Sequence, residues 1–259
     1  MSSDQKWETF WKDTADQSTT NFEYDHGRAP RKSIIEELSD QELVSFIDPQ
    51  LSEVIFDAGC GSGANIMLFH SKVSRVMAMD YNLGAVERCQ KRMSDNKIQN
   101  VQVMQGSITA IPLPDGSVDK IICMSVLQYL GDNDFLSAFK EFRRILKPGG
   151  MVVVHVKNLS SLYLSTLRAM KKVRSLWRNQ TKIEYYRHFR WYIRTLGATG
   201  FEIVDFNSFN WLMFEGMPRP MLSAIQKFEF EHHRAPLFNN KFVRSIGSDL
   251  KIKARALKG

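Results

Sequence analysis

The segment VIFDAGCGSGANIMLF, residues 54–69, places three glycines within five positions between two apolar runs. Glycine loses more backbone freedom on folding than any other residue and weakens both strands and helices. Its density here therefore predicts a sharp turn at which a ligand approaches the backbone closely. We expect a strand over 54–58, with Gly59 making the turn, Gly61 meeting the ligand and Gly63 beginning a helix.

Short β-branched runs alternate with helical segments from this point onward. Strands are predicted at 54–58, 75–80, 101–106, 118–124, 151–156, 201–206 and 250–257. Helices are predicted near 63–71, 83–95 and 131–146, the last one stopped by Lys147-Pro-Gly-Gly150, and a basic helical region is predicted over about 160–195. Strands that alternate with helices predict βαβ units and an α/β fold with a doubly wound sheet.

The predicted turn suits a ligand that carries a ribose and a polar or anionic tail. A helix N-terminus offers unpaired N–H groups and a partial positive charge. Asp80 ends the second predicted strand 21 positions after Gly59, which suits a carboxylate that accepts hydrogen bonds from ribose hydroxyls. The pattern Gly59-x-Gly61-x-x-Ala64 also satisfies the relaxed dinucleotide fingerprint, so this spacing alone leaves NAD and a purely structural turn open.

Four segments resemble, in order and spacing, the class I S-adenosylmethionine-dependent methyltransferases of the small-molecule group. They are FDAGCGSG as the first motif, MDYN with the ribose-binding acid, QGSITAIPLPDGSVDKIICMSVLQYL as the adenine-side loop and fourth strand, and FRRILKPGGMVVV. The resemblance covers residues 53–156. It implies a three-layer, Rossmann-like, doubly wound sheet of seven strands with the last one antiparallel. It also implies S-adenosylmethionine as cofactor, S-adenosylhomocysteine as product, and methyl transfer as the activity.

The resemblance implies a cofactor site that extends from the methionine moiety to the adenine. Its residues would be Asp57, Gly59, Gly61 and Gly63 around the methionine, Asp80 at the ribose, Tyr81, Ser107 and Ile108 at the adenine, Met124 below the sulfonium, and Gln128 at the junction with the acceptor. Many relatives carry Asp at the position of Ser107. A serine hydroxyl or the backbone would then accept the adenine amino group more weakly.

Methyl transfer from a sulfonium depends mainly on alignment, and a general base is needed only where the acceptor holds its proton tightly, as an alcohol does. His155 is the first candidate base, because it lies near the carboxyl end of a strand, where ligands bind in open sheets. A half-buried histidine bonded to the backbone is an equal alternative. His188 is the second candidate, with a solvated helical position favoured for it. The pair His232-His233 lacks acidic or cysteine partners at metal-ligand spacing, so no metal site is predicted.

The variable segments are expected to choose the acceptor. We predict an N-terminal helical lid over 1–50 and a methyltransferase domain over 51–259, with substrate-cap insertions at about 158–195 and 207–248. The second insertion is rich in large apolar residues, which form either core or the roof of a cavity.

Basic residues concentrate in 168–194, with nine Lys or Arg against one acid. That segment is interpreted as a solvated amphipathic helix, a face for an anionic membrane or lipid-linked acceptor, or an RNA contact.

The expected reaction is O-methylation of a small hydroxylated molecule that contains a sugar, is lipid-linked or is a natural product. The segment HVKNLSSLY and the ending GSDLKIKARAL resemble members that methylate quinones, lipids or sugars. N- or C-methylation of a small molecule, RNA methylation and a non-catalytic cofactor-binding regulator remain as alternatives. RNA is disfavoured because no Asn-Pro-Pro-Tyr-type motif follows the fourth strand.

The composition predicts a cytoplasmic protein. No apolar run approaches the roughly 18 residues that span a bilayer. The polar, acidic start of the chain is unlike a secretory signal. Three cysteines are too few and too scattered for a disulfide framework, so we expect reduced, buried thiols. The sequence does not predict an oligomeric state.

Overall fold

The computed structural model describes residues 34–161, 185–209 and 247–257, together with single positions at 220, 221, 224, 225, 227, 228 and 245. Most of the predicted lid over 1–50 and most of the basic segment lie outside the described residues. The same holds for most of the insertion at 207–248, including His232 and His233.

Seven strands form one mixed sheet in the described part of the chain. They are β1 Val54–Ala58, β2 Arg75–Asp80, β3 Val101–Gln105, β4 Val118–Met124, β5 Leu146–Lys157, β6 Phe201–Phe209 and β7 Asp249–Ala256. Their order is β3-β2-β1-β4-β5-β7-β6. Strands β1 to β5 pair in parallel, whereas β7 runs antiparallel to both β5 and β6. The predicted Rossmann-like sheet with an antiparallel last strand is confirmed.

Five α-helices connect and cover the strands within the described ranges. They are α1 Ile34–Ile47, α2 Ile66–Phe69, α3 Leu83–Asp95, α4 Asp132–Ile145 and α5 Phe189–Ala198, with short 3₁₀ helices at His70–Lys72 and Leu127–Tyr129. No described helix combines the length and the apolar character that crossing a bilayer requires.

Several predicted boundaries were wrong; for example, the strand predicted over 201–206 extends to Phe209, into the predicted insertion at 207–248. The helix predicted over 63–71 is only the four-residue α2 followed by a 3₁₀ turn, because the glycine loop extends to Asn65. Strand β5 starts at Leu146 rather than 151, since Lys147-Pro-Gly-Gly150 forms an irregularity in its pairing with β4. In the predicted basic helical region, the described residues become helical only from Phe189.

Each face of the sheet buries its own core. One core lies under α4 and α5 and includes Phe56, Ile121, Val154, Ile252 and the aromatic side chains of α4. The other lies under α1, α2 and α3 and includes Leu43, Ile47, Ile55, Ile122 and Val153. The three cysteines (Cys60, Cys89 and Cys123) are free and buried. The sheet is therefore covered on both faces, and its carboxyl edge is where polar side chains collect.

An ion pair joins α1 to the sheet inside the second core. Glu42 Oε2 accepts from Lys251 Nζ, and both side chains are buried. Asn207 Nδ2 donates to Glu42 Oε1 at 2.9 Å. In the sheet register Asn207 and His155 both pair with Lys251, so this polar contact lies on the same sheet face as His155.

We predict that Glu42→Ala lowers the free energy of unfolding by about 3–5 kcal/mol, because it leaves the Lys251 ammonium buried without its counter-ion. Denaturant titration measures this loss. The matched control is Asp95→Ala, which removes an acid from an exposed pair with Lys91 and should cost no more than about 0.5 kcal/mol. Equal effects of the two changes would show that the buried pair contributes no more than a surface pair.

Candidate functional site at the carboxyl edge of the sheet

The glycine loop after β1 has a backbone that only glycine adopts easily. Gly59, Gly61 and Gly63 have φ values of +83°, +55° and +83°. A Cβ on Gly59 would lie 2.2 Å from Val126 Cγ2, and one on Gly63 would lie 2.7 Å from Cys89 Sγ. The glycines therefore serve the turn and its close packing against the loop that follows β4 and against α3, and the N–H of Gly59 donates to Met79 O at 2.8 Å.

Asp80 connects the glycine loop to the start of α3. Its Oδ2 accepts from the Gly61 N–H and its Oδ1 accepts from the Asn82 N–H, both at 2.9 Å. Asn82 in turn caps α3, because its Oδ1 accepts from the Ala85 N–H at 2.9 Å. A carboxylate accepts hydrogen bonds, and ribose hydroxyls are donors of the kind that it binds.

The side chains predicted at the adenine lie beyond Asp80 along the same edge. Tyr81 is 48% exposed, whereas Ile108 is buried. The hydroxyls of Ser107 and Thr109 lie 2.8 Å apart, and Ser107 Oγ also accepts from the Thr109 N–H at 3.3 Å. The structure thus brings an exposed aromatic ring and a buried apolar side chain to this end of the site, with Thr109 as a hydroxyl that the sequence analysis missed.

His155 lies between two polar side chains, one from the residue that follows β4 and one from β7. Its Nε2 is 3.0 Å from Asp249 Oδ1, and its Nδ1 is 2.8 Å from Ser125 Oγ. Asp249 also pairs with Lys157 Nζ and accepts from Ser248 Oγ at 2.9 Å. Met124, predicted below the sulfonium, is half-buried and pairs with His155 in the register of β4 and β5. Among the described residues, the ring of His155 is therefore bonded to side chains and not to the backbone.

Burial decides the charge of His155. It lowers the pKa of the imidazole more than the hydrogen bond to Asp249 raises it, and the charges of Lys157 and Lys251 act in the same direction as burial. Burial would raise the pKa of Asp249, but Lys157 and the hydrogen bond with His155 outweigh it and hold that pKa far below its usual range. At neutral pH the pair is a neutral imidazole bonded to a carboxylate.

A short segment before α5 packs against the loop that follows β4. Tyr185 N–H donates to the carbonyl oxygen of Gln128 at 2.7 Å, and Gln128 is 4% exposed. Arg187 is buried; its Nη2 donates to Leu130 O at 2.7 Å and to Asp132 Oδ1 at 2.8 Å. The guanidinium carbon lies 4.4 Å from the centre of the Trp191 ring. Arg187 thereby fixes this segment against the loop after β4.

His188, the second candidate base, is exposed at the start of α5. Its Nδ1 is 3.4 Å from Ser160 Oγ, and no other hydrogen bond of its ring is found among the described residues. Within the described ranges it has no carboxylate contact comparable to that of His155. Of the two candidates, His155 is the one connected to an acid in the part of the chain that the structure describes.

Comparison with known proteins finds a methyltransferase domain in the central part of the chain. A profile described as a methyltransferase domain matches residues 56–154. A probable S-adenosylmethionine-dependent methyltransferase of Mycolicibacterium smegmatis is 32% identical over 105 residues, which are 40% of this chain and 38% of that protein. A malonyl-[acyl-carrier protein] O-methyltransferase of Yersinia pestis is 32% identical over 144 residues, which are 52% of this chain and 51% of that protein. Residues 56–154 therefore form a methyltransferase domain, and the chain is similar to S-adenosylmethionine-dependent methyltransferases.

A solved structure shares the fold across nearly the whole chain. Phosphoethanolamine N-methyltransferase 1 of Haemonchus contortus aligns with a TM-score of 0.68 and 16% identity, covering 99% of this chain and 49% of that one. At this identity the likeness shows the fold alone. This chain covers 38% and 51% of the length of the two curated relatives above.

The residues at this edge fit S-adenosylmethionine, which carries an ammonium, a sulfonium and a ribose. Asp57 is fully buried in β1, and Asp80 contacts the glycine loop, where the backbone carries no side chains at Gly59, Gly61 and Gly63. Two carboxylates next to this loop match a cationic methionine end and the hydroxyls of a ribose.

Ser125 and Asp249, which contact His155, were also missed in the sequence analysis. Ser125 directly follows β4, and a polar residue there meets the ligand edge. Asp249 begins an antiparallel strand, so it lies at the edge where the parallel strands end. Because an antiparallel last strand was predicted, Asp249 could have been placed at this edge from the sequence.

We predict that Asp80→Ala weakens binding of S-adenosylmethionine by about 1.5–3 kcal/mol, or about 10- to 150-fold in Kd, through the lost charge-assisted bonds. Calorimetric titration with S-adenosylmethionine and, separately, NAD measures this. The control Asp95→Ala, at the exposed end of α3, should bind like wild type. Binding of NAD by wild type, or unchanged affinity in Asp80→Ala, would contradict this account of the carboxylate.

Proposed function

We propose that the protein methylates a hydroxyl group of a small acceptor, using S-adenosylmethionine as donor and releasing S-adenosylhomocysteine. The acceptor class is a sugar-containing, lipid-linked or natural-product metabolite. The observation that carries this proposal is the pairing of His155 with Asp249 beside Met124. A neutral imidazole held by a carboxylate can act as a general base, which methylation of an alcohol needs and methylation of an amine does not.

In the proposed reaction the cofactor supplies an activated methyl group, and the protein supplies alignment and a base. Asp249, which can only accept hydrogen bonds, holds the proton of His155 on Nε2. Nδ1 therefore keeps a lone pair. His155 gains a proton as the acceptor hydroxyl loses one and the acceptor oxygen bonds to the methyl carbon, and Asp249 then stabilises the imidazolium.

The same proposal assigns acceptor choice to the variable segments. We propose residues 1–50 as a lid and the insertions at about 158–195 and 207–248 as caps over the domain 51–259. The contact of α1 with Lys251, on the face that carries His155, supports this for the first segment. Tyr185 and Arg187, packed against the loop after β4, support it for the second. Contact of 168–194 with an anionic membrane and a cytoplasmic location belong to the proposal as well.

Related names point to more than one acceptor atom. The Yersinia pestis relative is named as an O-methyltransferase, which supports an oxygen acceptor here. The structural neighbour named as an N-methyltransferase keeps nitrogen as the second candidate, which would leave His155 without an essential role.

We predict that methyl-labelled S-adenosylmethionine transfers its label to alcohols in a panel of alcohols, amines, carbon acids and total tRNA. His155→Ala should lower kcat with alcohols about 10²- to 10⁴-fold while changing KM little, because a general base acts in the transition state. His188→Ala, which changes the exposed histidine outside this pair, should stay within about twofold of wild type. Label found only in amines, carbon acids or tRNA would overturn the hydroxyl proposal.

We predict that kcat is constant at neutral pH and falls on acidification with a midpoint below about 6.5, the usual pKa of histidine. Burial lowers the pKa of His155, so the neutral base persists to lower pH; Lys157 and Lys251, the latter paired with Glu42, act in the same direction. Since Asp249 raises that pKa, Asp249→Asn should move the acid limb to still lower pH while reducing kcat. An acid limb that moves upward in Asp249→Asn would contradict this assignment.

A further inference from the structure

We propose that Ser125 is a catalytic residue that stands between His155 and the acceptor. Its Oγ receives the acceptor's proton as its own proton passes to His155 Nδ1. This inference rests on the proposed O-methylation and adds a residue that the sequence analysis did not identify.

The direction of the hydrogen bonds follows from Asp249. A carboxylate can only accept, so the 3.0 Å contact places the proton of the neutral imidazole on Nε2. Nδ1 must then be the acceptor in the 2.8 Å contact with Ser125 Oγ, and the serine hydroxyl must donate. The three side chains form one chain of hydrogen bonds, in which Ser125 donates to His155 and His155 donates to Asp249.

Access to the site points to the serine. Both ring nitrogens of His155 are engaged, and its side chain is 15% exposed. Ser125 is exposed at the carboxyl edge of the sheet. An acceptor hydroxyl that enters from solvent therefore meets Ser125 Oγ before it can reach His155. The remaining lone pair of the serine oxygen can accept a proton from that hydroxyl.

The backbone at Ser125 supports a functional role. Its φ of +61° is one of three positive values for non-glycine residues in the described part of the chain, the others being Asp48 and Lys97. Those two follow the ends of α1 and α3, where a left-handed residue is ordinary. Ser125 instead follows a strand, where the conformation costs about 1–2 kcal/mol. Strain at such a position is typical of residues held for function.

The turn at Ser125 also packs on the cofactor loop. Val126 lies so close to Gly59 that a Cβ there would clash at 2.2 Å. The strained residue is thus held between the loop predicted to surround the methionine moiety and the histidine. This is where an acceptor oxygen must stand for in-line attack on the methyl group.

The step balances as a proton relay coupled to methyl transfer. The acceptor oxygen forms a bond to the methyl carbon, and the electron pair of the broken carbon–sulfur bond stays on sulfur, which becomes a neutral thioether. The acceptor's proton moves to Ser125 Oγ, and the serine proton moves to His155 Nδ1. The imidazolium remains paired with Asp249 and loses its proton to water.

The first test needs no acceptor. Imidazole ¹⁵N spectra of the protein saturated with S-adenosylhomocysteine should show His155 as the neutral tautomer protonated on Nε2. The Nδ1 signal should move to that of an unbonded nitrogen in Ser125→Gly and in Ser125→Ala. Glycine suits the positive φ, so that variant separates loss of the hydroxyl from misfolding. A proton on Nδ1 in wild type, or an Nδ1 signal unchanged by both substitutions, overturns the relay.

The second test uses alcohols that the acceptor panel identifies. Ser125→Gly should lower kcat about 10²-fold with aliphatic alcohols and much less with acidic phenols, while S-adenosylmethionine affinity stays within about twofold. The double variant with His155→Ala should be no slower than His155→Ala alone, because the two residues act as one unit. The control is Ser117→Ala, which changes a loop serine that lies beside the amino end of β4 and donates to Pro114 O.

The outcomes separate the two proposals. Alcohol methylation that is equally fast in wild type and Ser125→Gly overturns the relay alone. Wild-type protein that binds S-adenosylmethionine and methylates no alcohol overturns the proposed function and the relay with it. Additive losses in the double variant would show that Ser125 acts independently of His155, which also overturns the relay.

Discussion

The antiparallel pairing of β7 between β5 and β6 is the constraint on which the site depends. Parallel strands bring only their carboxyl ends to the ligand edge, whereas an antiparallel neighbour brings its first residue there. Asp249 therefore pairs with Lys157, two residues along the strands from the pair of His155 and Lys251. The buried side chains of Leu250 and Ile252 hold this register, because a slip of one residue would turn them out of the core.

Burial and the charges gathered by this register together keep His155 neutral. Burial lowers the pKa of its imidazole most, Asp249 raises it, and Lys157 and Lys251 lower it. A buried carboxylate is costly unless it is paired, and Asp249 is paired with Lys157 while it also holds His155. Lys251 is in turn paired with Glu42 from α1. The helix that covers the second core is thus joined to the charges around the proposed base, so stability and the proposed proton chemistry share the same few contacts.

Local patterns predicted the fold and the cofactor loop, because the information for them is contiguous in the chain. β-branched runs located the strands, and Gly59, Gly61 and Gly63 marked a backbone that side chains would obstruct. The boundary of β5 was predicted wrongly since Lys147-Pro-Gly-Gly150 has the composition of a helix stop yet lies within an irregular strand. Pairing with β4, which no local pattern contains, decided that boundary.

The contacts of His155 could not be predicted in the same way. Ser125 and Asp249 are 30 and 94 positions away from it, and only the sheet topology brings them together. Each breaks a local preference, the serine by its positive φ and the aspartate by its burial, and such conflicts are expected where function opposes folding. Both side chains contact the imidazole of His155. A histidine with a purely structural role would require neither conflict, so their occurrence together is the strongest argument for the proposed proton transfer at this edge of the sheet.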